Sequence, residues 1–357
     1  MEITKRIEVF DFIKGSLILF VIWGHFCMYL SGQDYEKNLL TTYIRLFQMP
    51  LFIFISGYFQ KPVVELSSAI KKLKKSLMHV GVPMCSWILI VYVFKLVLNS
   101  NKYFSFKLLI EQTHGIVSLF WYLGCLLMCL FIYTLVSLSY YYNKKIGITF
   151  LSASIVMSIT VNSTTFYFPF LWVFFVGGVI YKRIDMDKIM YNIPKQIKYI
   201  VFVVLFTIVM VCGWIYKTSW TFYNTDNCIF TADSYWKSEM IFIIYRYFIY
   251  ISCTFCSFIL LKKLYSKTLN TCFSRAIAAL GKETLFIYVA HVAILSLFSK
   301  SIIRLMVNED IIFACCPYVR YYLVCIICTV VLAVVLYYLA LFVKSRSPLC
   351  VKLLLGN

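Results

Sequence analysis

Three ionisable side chains interrupt the first long apolar run of the chain, RIEVFDFIKGSLILFVIWGHF at residues 6–26: Asp11 and Lys14 near its start and His25 near its end. At about 100° per residue they fall within a wedge of about 60° on one side of a helix. A rise of about 1.5 Å per residue carries that polar stripe about 21 Å, most of a hydrocarbon core about 30 Å thick. Ionisable groups in a spanning helix are costly unless they face a bundle interior or a wet cavity, which makes them functional candidates. A buried neutral imidazole can take a proton from an alcohol as the oxygen attacks a carbonyl, so His25 suits acyl transfer to a hydroxyl. A lone helix histidine is more commonly structural.

A second histidine, His291, lies in AIAALGKETLFIYVAHVAILSLF together with Lys282 and Glu283. If that span begins near Ile277, His291 is about 21 Å deep and level with His25; if it begins after Glu283, the depth is about 12 Å. The segment KPVVELSSAIKKLKKSLMH packs Lys71, Lys72, Lys74 and Lys75 into one cluster, with Ile70, Leu73 and Leu77 on the other side of a helix. Such a cluster serves equally as a surface helix held by anionic lipid or as a patch for the phosphates of a nucleotide-bearing molecule. Arg246 falls within about two turns of the outer end of its span, where it either snorkels outward or enters the bundle to hold an anion. Pro50 predicts a kink in the second apolar run, with Ser56 and Gly57 following where small residues allow close approach. Trp121 sits in an aromatic cluster that suits the membrane interface, and residues 217–239, rich in Trp, Tyr, Thr and Asn, suit either carbohydrate contacts or an interfacial loop.

No metal-ligand set, phosphate-cradling glycine loop or nucleophile elbow is present in the sequence, so hydrolase and ATPase readings have no support. The pairs Cys253/Cys256 and Cys325/Cys328 fall within apolar segments and read as small buried hydrophobes.

The elements that must position these groups are membrane helices. A chain of 357 residues that is 62% hydrophobic and 14% charged, with mean hydropathy +0.84, is too apolar for an ordinary soluble globule. The expected fold is all-α: a polytopic bundle of about ten transmembrane helices forming one domain over residues 1–357. Its spans fall near 10–31, 43–60, 76–98, 118–141, 146–162, 166–181, 197–216, 240–261, 277–299 and 318–343. The first run is long, carries internal charges and reads as a retained span rather than a cleaved signal. With the N-terminus inside, Lys and Arg are in excess on the cytoplasmic side by roughly three to one, alternating loop by loop, which places both termini in the cytoplasm. The net charge of +19 is therefore a topology signal and not a nucleic-acid footprint.

The stretch RIEVFDFIKGSLILFVIWGH resembles the first-helix signature of the acyltransferase-3 family of integral membrane acyltransferases, in its fucose 4-O-acetylase-like branch, with Asp11, Lys14, Gly15, Gly24 and His25 on the pattern. FQMPLFIFISGYF is similar to the family's second motif, Met49 to Phe52 and Ser56 to Tyr58. Trp121 with Leu123 resembles its Trp-Phe-Leu element, and LGKETLFIYVAH at 280–291 its late motif ending in His. Gln48 stands where a histidine often precedes Met-Pro, and lysines replace the family's cytoplasmic Arg-x-x-Arg element, without the bidentate fork of a guanidinium.

The resemblance implies a multi-pass protein of the bacterial inner membrane that moves an acyl group, most often from acetyl-CoA, to a hydroxyl of a lipid-linked or cell-surface glycan such as capsule, O-antigen or exopolysaccharide. It implies His25 as general base, Asp11 and Lys14 organising a polar channel below it, and Lys71, Lys72, Lys74 and Lys75 as the donor-phosphate patch. Ser56, Trp121, Arg246, Glu283 and His291 are the substrate or channel candidates. The implied partners are acyl-CoA, the glycan acceptor and membrane lipid, with no metal. The competing reading is a carrier or flippase for a lipid-linked saccharide whose pathway the intramembrane charges would line; no inverted repeat is visible in the hydropathy to favour it.

Overall fold

The computed structural model describes residues 8–31, 39–98, 118–160, 168–216, 236–306, 317–346 and 348–356. Every regular element among them is a helix: α1 (Glu8–Ser31), α2 (Leu39–Tyr58), α3 (Leu66–Ser76), a π-helical turn (Leu77–Gly81), α4 (Val82–Leu98), α5 (Trp121–Tyr142), α6 (Lys144–Thr160), α7 (Phe168–Arg183), α8 (Met186–Asn192), α9 (Lys195–Tyr216), α10 (Trp236–Lys267), α11 (Cys272–Lys282), α12 (Thr284–Met306), α13 (Pro317–Lys344) and α14 (Pro348–Leu355). The outer segment proposed for carbohydrate contacts lies, over residues 217–235, outside the described residues.

Each of the ten expected spans is helical, but not every one is a straight crossing. Among the described residues six helices are long and apolar enough to cross a membrane, and up to eight if two bent pairs, α8 with α9 and α11 with α12, each count as one span. Within the described residues α6 and α7 cover 17 and 16 positions, against the roughly 20 that a perpendicular crossing needs. Pro50 lies inside α2.

The helices group into two compact units. One comprises residues 1–35, 78–120 and 264–357, and holds α1, α4 and α11 to α14. The other comprises 36–77 and 121–263, and holds α2, α3 and α5 to α9 with most of α10. In the first unit α1 packs mainly against α11, and against α12 and α13 as well. Its Phe12, Ile13, Leu17, Ile18 and Ile22 are fully buried, as are Ile287, Val289 and Ala290 of α12. In lipid this arrangement gains little from removing water, since acyl chains are as apolar as leucine; close van der Waals fit decides it. That fit depends on glycine. A Cβ at Gly15 would overlap the Ile277 carbonyl oxygen, and one at Gly281 would overlap that of Asp11, so α1 and α11 cross backbone to backbone. The second unit repeats the device: Gly57 of α2 lies on the Phe175 carbonyl and Gly178 of α7 on the Phe54 carbonyl.

The start of α11 is capped by Thr271, whose hydroxyl accepts from the Ser274 amide at 3.2 Å. The helix ends at Glu283, beyond which α12 departs at 75°. That bend separates residues 272–282, an amphipathic helix laid on α1, from α12, so the ninth run is either one bent span or a separate helix followed by a span that begins after Glu283.

Candidate active site

Within the first unit the ring centres of His25 and His291 are 5.3 Å apart, with their planes tilted by 52°. His25 is half-buried, whereas His291 has no exposed surface. The His291 Nδ1 lies 2.9 Å from the Ile287 carbonyl oxygen one turn earlier. A carbonyl can only accept, so Nδ1 carries the proton and Nε2 presents a lone pair. That Nε2 is buried with no hydrogen-bond partner. The Tyr288 ring closes the edge of His291 at 5.6 Å in a T-shaped contact. A half-exposed imidazole beside a buried one, both in apolar helices, can receive a proton from a hydroxyl that reaches the exposed ring.

The rest of the first-helix stripe is not at this place. Asp11, only 2% exposed, pairs with Lys14 at 2.9 Å, and the two lie about 21 Å and about 17 Å along the helix from His25. Their partner is the α1–α11 crossing, where the Asp11 carbonyl faces Gly281. Glu283 is also removed from the histidines, by about 12 Å along α12. It is 8% exposed and forms an ion pair with Lys344 at the end of α13. The bend between α11 and α12 is thus tied electrostatically to the end of α13.

In the second unit the lysine segment forms the amphipathic helix α3 as expected, packed against α5. Its lysines separate in role. Lys71, Lys74 and Lys75 are exposed. Lys72 turns inward: its ammonium donates to the Lys61 carbonyl at 2.9 Å and lies 4.4 Å from the centre of the Tyr133 ring. Burial lowers its pKa to about 8. The opposite end of the same tyrosine, its hydroxyl, is approached at 3.5 Å by the Arg183 guanidinium of α7. Tyr133 and Arg183 were not singled out by the sequence; an arginine in the last turn of a short helix beside a lysine-rich loop was the available signal. Nearby, Lys262 pairs with Asp187 at 2.6 Å and the Tyr181 hydroxyl donates to the same carboxylate at 2.7 Å. Burial opposes ionisation of Asp187, but these two partners outweigh it and hold the carboxyl below its usual range.

Ser56 donates back to the Phe52 carbonyl at 3.0 Å, and Phe52 in turn meets Tyr122, whose neighbour Trp121 stacks on it edge-on at 6.2 Å. Arg246 does not snorkel: it is 7% exposed, and its guanidinium lies 5.2 Å over the Phe170 ring. The Tyr247 ring stacks on the same phenylalanine at 4.8 Å and donates its hydroxyl to the Ser158 carbonyl. A cavity of about 180 Å³ lies between α2, α7 and α10, lined by Leu51, Phe54, Phe174, Thr254 and Phe258. Among the described residues no three His, Cys, Asp or Glu side chains converge as a metal site.

Comparison with known proteins assigns the class of chemistry. The chain is similar to the nodulation protein NolL of Mesorhizobium japonicum, 28% identical over 117 residues that make up 32% of this chain and 31% of that protein. It is likewise similar to NolL of Sinorhizobium fredii, 27% identical over 131 residues, 35% of each chain. These matches span about a third of the relatives' length. No solved structure matches. The family model described as an acyltransferase domain, that of acyltransferase-3, matches residues 7–338, a stretch that holds both histidines, the lysine helix and both glycine crossings. This helical, multi-pass membrane chain therefore belongs to the acyltransferase-3 family.

Proposed function

We propose that the protein is an O-acyltransferase of the bacterial inner membrane that moves an acyl group, acetyl in the first instance, from acyl-CoA to a hydroxyl of a lipid-linked or cell-surface glycan. The observation that carries this reading is the half-exposed His25 imidazole held beside a fully buried one inside apolar helices. Such a base meets its substrate from one side. As the acceptor oxygen attacks the thioester carbonyl, a ring nitrogen of His25 takes the hydroxyl proton. The carbon–oxygen bond forms, the carbon–sulfur bond breaks, and the proton passes to the leaving thiolate, giving an ester and free CoA.

The donor's phosphates suit the cationic inner end of the second unit. There Lys71, Lys74 and Lys75 stand exposed, while Lys72 and Arg183 converge on Tyr133. Lysines bind phosphate as point charges, and Arg183 adds the planar fork that the lysine helix lacks. Asp11 and Lys14 act at the α1–α11 crossing as a fixed ion pair rather than as reacting groups.

The test is purified protein in lipid nanodiscs, given radiolabelled acetyl-CoA and a panel of glycans. Wild type should label an acceptor, and His25→Ala should reduce the label to background with its melting temperature within a few degrees of wild type. Full turnover in His25→Ala would remove His25 from the mechanism. Movement of an unmodified lipid-linked saccharide without acyl-CoA binding would replace this reading with a carrier.

A further inference from the structure

Granted His25 as the base proposed above, the chemistry needs that ring in one neutral tautomer, with its reacting nitrogen bare and its other nitrogen carrying a proton that must be accommodated in an apolar bundle. A neutral imidazole whose N–H has no acceptor in lipid leaves a polar group uncompensated, and its two tautomers interchange freely. In a serine triad a buried carboxylate meets the same need by accepting the N–H of the base. Asp11 cannot serve here, because it lies about 21 Å along α1 and is paired to Lys14. Glu283 is paired to Lys344.

The group that is in place is His291. Its Nδ1 proton is committed to the Ile287 carbonyl at 2.9 Å, so its Nε2 can only accept. That nitrogen is completely buried and has no partner. The His25 ring lies 5.3 Å away, centre to centre. We propose that His291 is the positioning partner of His25: in the reacting complex its Nε2 accepts the N–H of His25, which fixes the base in one tautomer and spreads the positive charge that arrives with the substrate proton. Hydrogen bonds of catalytic groups are commonly long before substrate binds and tighten in the complex, so an unpartnered Nε2 on a ring 5.3 Å from His25 is compatible with a bond that forms on binding. No proton crosses between the rings. The acceptor's proton goes to the open nitrogen of His25 and from there to the thiolate, while His291 keeps its own proton on the Ile287 carbonyl throughout. Aromatic packing alone would fix the shape of position 291 but would not require a nitrogen lone pair.

Two variants separate those roles. His291→Phe preserves the ring, its burial and the edge contact to Tyr288 but removes both nitrogens, whereas His291→Gln supplies an amide oxygen that can accept. With the nanodisc assay, kcat of His291→Phe should fall on the order of 100-fold or more, with KM for donor and acceptor within about twofold, and His291→Gln should recover a tenth or more of wild-type kcat. Unchanged kcat in His291→Phe, or a loss carried by KM, overturns the assignment. A measurement without turnover accompanies it. The chain has four histidines, so ring-15N labelling resolves His25 by comparison with His25→Ala. With CoA and acceptor bound, one neutral tautomer of His25 in wild type, becoming two in His291→Phe, supports the pairing; mixed tautomers in the wild-type complex overturn it. If the phenylalanine variant does not fold, His291→Gln decides by the same spectrum, one tautomer supporting and two overturning. Wild type that transfers no acyl group would sink the acyltransfer reading, and the spectrum would still decide whether the two rings are paired.

Discussion

His25 and His291 come to a ring spacing of 5.3 Å from helices that meet elsewhere: each lies ten residues beyond the glycine, Gly15 or Gly281, at which α1 and α11 cross. The crossing therefore works as a ruler. Starting from a contact with no room for a Cβ, α1 runs on for about 15 Å and so does the α11–α12 pair, delivering the two imidazoles to one level. A bend at Glu283 lies on the second route, so the register of the histidines depends on the glycine contact and on the bend together.

The first prediction concerns that contact. Gly281→Ala puts a methyl group onto the Asp11 carbonyl, and backbone, unlike the end of a long side chain, has little freedom to retreat. Overpacking of this kind costs about 1–3 kcal/mol. A shift of about 1 Å between reacting groups costs on the order of 100-fold in rate. Gly281→Ala should therefore melt a few degrees lower, measured by thermal scanning in detergent, while its acyl transfer falls far more than the unfolded fraction explains. Activity that merely tracks stability would refute the ruler.

The all-helical membrane fold was legible because lipid leaves so few alternatives: an apolar run must satisfy its own backbone, so length and composition nearly suffice for the class, though not for the number of spans. The site was legible only in part. Helical periodicity placed Asp11, Lys14 and His25 on one face, which is correct, but a shared face is not a shared place when the axial distance is about 21 Å. The partner of His25 came from a helix remote in sequence, at a depth the sequence left open because nothing local marks Glu283 as a break. That break depends on the ion pair to Lys344 and on the α1 contact, both long-range. Lys72 was similarly indistinguishable from its three neighbours until Tyr133 was placed beneath it.

Lys72 yields a pH prediction. Burial brings its pKa from 10.5 down to about 8, so the ammonium is present below pH 8 and is lost as pH rises through that value. The unfolded chain keeps the proton up to about 10.5, so between pH 8 and 10.5 this group adds stability with rising pH while it subtracts cationic charge from the patch. If the donor's phosphates use this charge, acyl-CoA affinity should weaken from pH 7 to pH 9. Lys72→Arg, which stays charged, should flatten that dependence. Titration calorimetry at the two pH values measures both; an equal pH slope in Lys72→Arg excludes Lys72 as its source.

The ion pair at the bend gives a third. Glu283 is 8% exposed, whereas the Lys344 side chain is 35% exposed, so removing the lysine should cost about 1–3 kcal/mol, less than the 3–5 kcal/mol typical of a fully buried pair. Lys344→Met leaves the Glu283 carboxylate without this partner near the start of α12. Adding Glu283→Gln removes the charge that was left, so the double variant should be more stable than Lys344→Met alone. Thermal unfolding of the three variants checks the order. A double variant no better than the single would mean that the pair does not hold the bend.

The α3 helix separates two uses of one set of charges. Leu66, Ile70, Leu73 and Leu77 fall within about 60° of one another around its axis, and three of them, Leu66, Ile70 and Leu77, are more than half exposed. Lys74 borders that stripe, while Lys71 and Lys75 lie farther round. A helix with an uncovered apolar stripe and flanking lysines lies in the headgroup region of a bilayer, stripe down. A nitroxide on Ile70→Cys should therefore collide more with oxygen than with a water-soluble nickel chelate, and the same label on Lys75→Cys should show the reverse. Reversing the charges of Lys71 and Lys75 to Glu should then lower acyl-CoA affinity about tenfold or more, because anchoring rests on the apolar stripe while the lysines remain available to phosphate. Unchanged affinity, with Ile70 still in lipid, would assign these lysines to anionic headgroups and leave the donor to Lys72 and Arg183.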